Sequence, residues 1–159
     1  MAIRLTLLGT TYEIPENGDS PSWGENVTAY LQAVNEYLLL IVDPNDILPT
    51  EENILNNQPT DILVKGLVFN SSLVRAANIT YSALRKTDSQ TIVETGTILL
   101  NYDADAAPGS RWQFTQSVND DAGIILSVTD AGQFYYQSTN LTGANYTGTL
   151  SFTAKVLRK

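Results

Sequence analysis

From Ile62 to the end of the chain, apolar and polar residues alternate with a period of two, and turn-forming segments interrupt this alternation at short intervals. In the last such segment Leu150, Phe152 and Ala154 alternate with serine, threonine and lysine. Alternation of this kind predicts strands that bury one face and expose the other. Seven strands are predicted: Ile62–Phe69, Ala77–Leu84, Thr91–Tyr102, Trp112–Val118, Gly123–Val128, Gln133–Ser138 and Thr147–Leu157. Short strands at regular spacing favour a mainly β fold, an antiparallel and jelly-roll-like β-sandwich.

The first part of the chain carries other signals. Alternating apolar residues in Ile3–Leu7 predict a short N-terminal strand. Ser22 and Glu25 fit a capping box, in which the hydroxyl and the carboxylate each accept a hydrogen bond from a free backbone N–H. A helix is therefore predicted to begin at about Trp23, and Pro44 is expected to end it.

The apolar residues of this helix recur at alternating spacings of four and three, as in two heptads, and Tyr30 and Tyr37 lie beside them. The seam consists of Val27, Leu31, Val34, Leu38 and Ile41. An isolated helix of this length is marginal in water, so the apolar stripe must pack against something. Two alternatives stay open: packing within its own domain, or symmetric self-association of several chains.

The chain is predicted to have three parts: an N-terminal arm with the amphipathic helix (1–42), a linker with three prolines (43–61) and the β-sandwich domain (62–159). Charge follows a similar division. Residues 1–61 carry ten acidic and one basic side chain, whereas the remainder carries seven acidic and eight basic ones. We expect the acidic part to suit a basic partner surface, and we expect no binding to nucleic acid and no membrane insertion.

The chain contains neither cysteine nor histidine, which excludes disulfides, thiolate chemistry, histidine acid–base catalysis and the usual zinc sites. Asn101, Asp103 and Asp105 occupy alternate positions, like the opening of a calcium loop. However, Ala106 stands where such a loop needs glycine, and Trp112 stands where it needs glutamate. The interpretation is a turn with solvated acids, and no metal site is predicted.

Asp120 and Asp121 are neighbours in a predicted turn and do not form an acid–base pair across a cleft. We therefore expect no catalytic residues, no cofactor and no enzymatic activity. The aromatic residues either line a sugar platform or pack in the core, and the alternation assigns most of them to packing. They are Trp112, Phe114, Phe134, Tyr135, Tyr136 and Phe152, of which Tyr135 is predicted to face opposite to its two neighbours.

No signal peptide is visible in the opening MAIRLTLLGTTYEI, because Thr6 and Gly9 interrupt its apolar run. No segment approaches the roughly 20 apolar residues of a membrane-spanning helix. The sequence therefore predicts a protein that is made in the host cytoplasm without a signal peptide.

The segment TTYEIPENGDSPSWGENVTAYLQAVNEYL resembles the N-terminal region of tailed-bacteriophage virion structural proteins, namely head fibres, capsid decoration proteins and tail-fibre-like proteins. The segments ALRKTDSQTIVETGTILLNYD and DDAGIILSVTDAGQFYYQSTNLTGANYTGTLSFTAKVL resemble the C-terminal β-domain of the same group. The resemblance implies a homotrimer in the virion, with the β-domain displayed and the N-terminal part docked to the particle. The residues that match the N-terminal pattern, and that the resemblance implies as a capsid anchor, are Tyr12, Ile14, Pro15, Gly18, Asp19, Trp23 and Gly24.

Two functions are compatible with this resemblance. The first is a non-enzymatic, homotrimeric capsid decoration (cement) protein or head fibre, anchored through its N-terminal arm to the major capsid protein or another virion protein. The alternative is a tail-fibre or receptor-binding module that contacts a host-surface glycan through exposed tyrosine and asparagine side chains on its loops.

Overall fold

The computed structural model describes residues 3–7, 10–14, 23–41 and 43–159. The chain divides into two compact units, Met1–Pro44 and Asn45–Lys159.

The first unit contains a hairpin and one helix. Strand β1 (Ile3–Leu7) pairs antiparallel with β2 (Thr10–Ile14), and helix α1 (Trp23–Ile41) packs against this hairpin. The predicted N-terminal strand and the predicted start of the helix are confirmed. The helix ends before Pro44, as expected from the conformational restriction that proline places on the preceding residue.

The second unit is an antiparallel β-sandwich. Its strands are β3 (Ile47–Asn53), β4 (Gln58–Val68), β5 (Val74–Lys86), β6 (Thr91–Tyr102), β7 (Trp112–Val118), β8 (Ile124–Val128), β9 (Gln133–Ser138) and β10 (Thr147–Arg158). A five-stranded sheet has the order β3-β10-β5-β6-β7, and a three-stranded sheet has the order β4-β9-β8. All neighbouring strands are antiparallel. The prediction of a mainly β, antiparallel sandwich is confirmed, and each of the seven predicted strands is present.

Residues 43–61, predicted to be a linker, contain β3 and the first residues of β4 instead. The prediction of a linker was based on the prolines and was wrong. Pro49 and Pro59 lie in strands at the edges of the two sheets. An edge strand needs only one row of backbone hydrogen bonds, so it tolerates a residue without an N–H. The pairing of β3 with β10 and of β4 with β9 shifts register close to these two prolines.

The core lies between the two sheets and contains a cluster of aromatic rings. The Phe69 ring centroid lies 6.1 Å from that of Trp112 and 6.2 Å from that of Phe134. The Phe114 and Phe134 centroids are 5.9 Å apart, and those of Tyr102 and Trp112 are 4.9 Å apart. Tilted and edge-on contacts at these distances are the favoured arrangements of aromatic pairs. The cluster joins Phe69, directly after β4, to β6, β7 and β9, and therefore holds the two sheets together.

Candidate functional site

The five-stranded sheet has one face in the core and one face turned away from it. On its central strand β5, Tyr81 and Ala83 are buried, whereas Thr80 is exposed and Ser82 is half-exposed. The same alternation holds on β6, β7 and β10. Side chains on the outer face are therefore fixed in position by strands whose alternate residues are anchored in the core.

Hydroxyl side chains form two rows across this outer face, here called the hydroxyl rows. The first row runs over four adjacent strands and the second over three, because the residues of each row lie directly opposite one another. Adjacent members of a row are about 4.8 Å apart across the strands, and the two rows are about 6.8 Å apart along them. The first row is Thr153, Thr80, Thr97 and Ser117, and the second is Ser151, Ser82 and Thr95.

The hydroxyls at the β10 end of the two rows form hydrogen bonds within the protein. Ser151 Oγ donates a hydrogen bond to a Glu51 carboxylate oxygen at 3.2 Å, and Thr153 Oγ1 donates to the Ile47 carbonyl at 2.9 Å. The central hydroxyls differ. Within the described ranges, the side chains of Thr80, Thr97, Ser82 and Ser117 make no hydrogen bond to another residue. Each retains one donor and two acceptor positions for a ligand or for water.

Two adjacent cavities lie over these strands, and together they form what is called here the outer groove. The first has a volume of about 720 Å³ and the second about 430 Å³. No Asp, Glu, Lys or Arg is among the described residues that line the first cavity. The second cavity continues along β5, β6 and β10, and its lining includes Asn78, Leu99, Lys155 and Leu157. Lys155 Nζ is 2.7 Å from an Asp46 carboxylate oxygen, so its charge is paired.

A buried polar network lies beneath the first cavity, on the core side of the same strands. Tyr81 OH donates to Glu94 Oε1 at 2.5 Å, and Gln116 Nε2 donates to Tyr81 OH. The Ala122 backbone N–H donates to Glu94 Oε2 at 2.7 Å. A Cβ on Gly96 would lie 2.7 Å from the Tyr81 ring, so only glycine leaves room for the ring here. The network fixes β5, β6 and β7 relative to one another.

The electrostatics of this network favour the neutral form of the tyrosine. Burial, together with the hydrogen bond to the Glu94 carboxylate, raises the pKa of the Tyr81 hydroxyl well above its usual range. Tyr81 therefore remains a hydrogen-bond donor to Glu94 throughout the physiological pH range.

Arg85, which is 0% exposed, joins β5 to the loops at one end of the sandwich. Its guanidinium donates to the Ala122 carbonyl at 2.6 Å, the Thr139 carbonyl at 2.5 Å and Asn56 Oδ1 at 2.9 Å. Its Nε donates to Tyr146 OH at 3.1 Å. A buried guanidinium is stable only when its donors are paired in this way. The burial of this arginine was not predicted from the sequence.

The predicted capsid-anchor residues lie in the first unit. Pro15, Gly18 and Asp19 lie outside the described residues. Tyr12 and Ile14 belong to β2, and Trp23 and Gly24 begin α1, but the described part of the chain does not extend to their side chains. Their role as an anchor remains a prediction.

Of the predicted seam of α1, some side chains are half-buried and others are exposed. Val27 and Val34 are half-buried, as are Tyr30 and Tyr37, and the helix contacts both strands of the hairpin. Leu31 and Leu38 are 58% and 54% exposed. The described part of the chain does not extend to the side chain of Ile41. Packing within the unit therefore accounts for part of the seam and leaves two leucines, seven residues apart, in solvent.

The acidic residues considered as ligands or catalysts cap turns. The Asp105 N–H donates to Asp103 Oδ1 at 3.0 Å, and the Asp121 N–H donates to Asp120 Oδ1 at 2.8 Å. Among the described residues, no group of three or more acidic side chains is arranged to hold a metal ion.

The alternation predicted the direction of the aromatic side chains correctly in β9. Phe134 and Tyr136 are buried in the core, whereas Tyr135 is half-exposed on the opposite face. Trp112 and Phe152 are buried and Phe114 is half-buried. These residues therefore do not form an exposed sugar platform.

The hydroxyl rows were not predicted from the sequence. Their signal was present in Thr95-Gly-Thr97 and in the alternating hydroxyl residues of Thr147–Thr153. One strand alone does not reveal a row, because a row depends on the register between four strands.

No helix in the described ranges combines the length and the apolar character needed to cross a membrane.

Neither a protein-family model nor a curated protein matches the chain. Two solved structures are similar to part of it. The crystal structure of the Acinetobacter phage vB_ApiP_P1 tailspike protein has a TM-score of 0.44 and 9% identity, covering 69% of this chain and 22% of that one. The Acinetobacter baumannii phage AM24 tailspike protein has a TM-score of 0.34 and 11% identity, covering 70% and 26%. The chain thus spans about a quarter of each tailspike. At these scores the likeness defines neither the fold nor the function of this chain.

Proposed function

We propose that the chain is a non-enzymatic structural protein of a tailed-phage virion. Residues 1–44 attach and associate, and residues 45–159 form the displayed domain. The sequence resemblance of the N-terminal segment and of the β-domain supports this proposal, as does the division of the chain into two compact units. Within the virion, the first candidate function is a homotrimeric capsid decoration protein or head fibre.

The exposure of Leu31 and Leu38 is the observation that carries the first candidate. Two leucines one heptad apart on a helix are the pattern of a self-association seam, because equivalent helices bury such positions against each other. Three chains joined in this way would present three N-terminal arms to a particle. Their avidity would exceed the affinity of a single arm by orders of magnitude.

The self-association is tested by sedimentation equilibrium of the full chain at micromolar concentration. We expect a mass three times the 17.4 kDa of one chain. The double variant Leu31→Ser/Leu38→Ser should sediment as a monomer. Gln32→Ser/Glu36→Ser changes two exposed positions that lie away from the two leucines on the helix and should keep the trimer. A monomeric wild type excludes the homotrimer.

The docking role is tested by incorporation into particles. Full-length protein and a form lacking residues 1–24 are added to phage particles made without the protein, and bound protein is quantified after sedimentation. The truncated form should not be incorporated. Incorporation at the wild-type level would show that the arm is not the anchor.

The second candidate is a tail-fibre or receptor-binding module, and the outer groove is the observation that favours it. A cavity of about 720 Å³ that is lined by hydroxyl-bearing and apolar side chains, with no charged residue among the described lining residues, has the size of a ligand site. Immunogold labelling of intact particles separates the candidates, since a decoration protein lies over the head and a receptor-binding module lies on the tail.

A further inference from the structure

We propose that the outer groove binds a neutral oligosaccharide, with the hydroxyl rows as its recognition surface. This inference rests on the receptor-binding function proposed above and assigns that function to a defined surface. The surface is the sheet face and not the loops that the sequence analysis favoured.

The charge of the groove argues for a neutral ligand. The protein as a whole carries a net charge of −8, yet none of the described residues lining the first cavity is charged. An anionic sugar polymer is recognised through arginine or lysine, which pair with its carboxylates. The first cavity offers neither, and the one lysine of the second cavity is paired with Asp46. A neutral ligand matches the charge of this surface.

The chemistry of the hydroxyl rows argues for a polyhydroxylated ligand. The side chains of Thr80, Ser82, Thr97 and Ser117 point out of the sheet, and within the described residues none of them has a hydrogen-bond partner. A hydroxyl both donates and accepts, so it pairs with a sugar hydroxyl in either orientation. The threonine methyl groups supply small apolar surfaces for the C–H faces of a sugar ring. The rows thus combine the two kinds of contact that a sugar needs.

The position of the groove argues against a peptide ligand. Extended peptides bind at the edge of a sheet, where unpaired backbone groups are available, and helices bind in grooves lined with apolar side chains. The hydroxyl rows lie in the middle of the sheet, where the backbone of β5 is already paired with β10 and β6. Recognition at this position must use side chains, and those side chains are mostly hydroxyls.

The second cavity extends the site along the strands. Asn78 lies two residues beyond Thr80 on β5, opposite the exposed Leu99 on β6 and opposite Lys155 on β10, whose charge is paired with Asp46. An amide beside an exposed apolar side chain is suited to another sugar unit of the same chain. The structure therefore favours an oligosaccharide over a monosaccharide.

The experiment is isothermal titration of the full chain with neutral hexasaccharides of glucose, mannose and galactose, and with hexagalacturonate as the anionic comparison. At least one neutral hexasaccharide should bind, with an affinity insensitive to salt, and hexagalacturonate should not. The double variant Thr80→Val/Thr97→Val keeps the β-branched shape but removes two central hydroxyls. It should weaken binding by about tenfold or more, since each lost hydrogen bond contributes a few-fold.

Thr149→Val is the matched control, because Thr149 is on the same face of β10 but does not line either cavity. It should bind as the wild type does. The proposal is overturned if no neutral hexasaccharide binds at millimolar concentration, or if the double variant binds as tightly as the control. These outcomes are independent of the labelling experiment, so the site can fail while the receptor-binding function stands.

Discussion

The two faces of the five-stranded sheet are built from alternate residues of the same strands. They differ in whether their polar side chains have hydrogen-bond partners within the protein. On the core side, Arg85 and Glu94 are almost fully buried and are held by several hydrogen bonds each. On the outer side, the hydroxyls of Thr80 and Thr97 have no partner within the described residues. The core-side polar groups stabilise the fold, whereas the outer ones are the groups that we propose bind a ligand.

The buried polar groups on the core side also hold the outer face rigid. The Ala122 peptide connects the two buried charges, because its N–H donates to Glu94 and its carbonyl accepts from Arg85. Together these groups fix β5 and β6 to the loop before β8. The proposed ligand site on the outer face would thereby be preorganised, so that binding would lose little conformational entropy.

The largest expected effect is the loss of the buried guanidinium. Arg85→Met leaves the Ala122 and Thr139 carbonyls and Asn56 Oδ1 without their donor, and should lower the free energy of unfolding by about 3–5 kcal/mol. Arg75→Met is the control on the same strand, since Arg75 is exposed. It should change the free energy of unfolding by less than about 0.5 kcal/mol. Urea unfolding measures both. Equal effects of the two variants would contradict the stabilising role of the buried guanidinium.

A smaller effect is expected at Gly96, where the core side has no room for a side chain. The new Cβ of Gly96→Ala would lie 2.7 Å from the Tyr81 ring and 2.8 Å from the Ser117 carbonyl oxygen. We expect a loss of about 1–3 kcal/mol in the free energy of unfolding. Combining it with Tyr81→Leu should give less than the sum of the two single losses, because the smaller side chain relieves one clash. Strict additivity would show that the ring is not the constraint.

A pH-dependent effect is expected at Tyr81. Its pKa is raised in the folded protein, so its contribution to stability is complete below the unfolded value of about 10. The contribution is lost as the pH rises from there towards the folded pKa, because the unfolded tyrosine ionises first. Tyr81→Phe should be less stable by about 1–2 kcal/mol at pH 7, since Glu94 Oε1 loses the hydrogen bond from the tyrosine hydroxyl while Oε2 keeps the one from the Ala122 N–H. The deficit should shrink between pH 10 and 11 in thermal unfolding scans, and a constant deficit would contradict the pKa assignment.

The sequence predicted the strands well and the polar groups poorly, for different physical reasons. Strands such as Thr91–Tyr102 follow from local alternation, which a single sequence displays directly. Pro49 was read as a linker residue because its tolerance depends on β3 being an edge strand, which only the sheet order reveals. Arg85 and Glu94 are charged residues, and charge normally indicates exposure. Their burial depends on loop groups distant in sequence, such as Asn56 and Thr139.

The candidate site was not predictable for a related reason. Thr80, Thr97 and Ser117 are separated by up to 37 positions in the sequence, and nothing local to any one of them marks it as functional. They meet only because the register of β5, β6 and β7 places them in line. In contrast, the carboxylate of Asp103, which the sequence marked as a possible ligand, caps a turn by accepting a hydrogen bond from the Asp105 N–H.

The most direct test of the central claim measures stability and binding on the same sample of Thr80→Val/Thr97→Val. The claim is that the core face maintains the fold while the outer face recognises a neutral sugar. The variant should unfold within about 0.5 kcal/mol of the wild type, because exposed threonine and valine suit a strand equally well. Its binding to the neutral hexasaccharide that the wild type binds should fall by about tenfold or more. Unchanged stability with unchanged binding would contradict the claim.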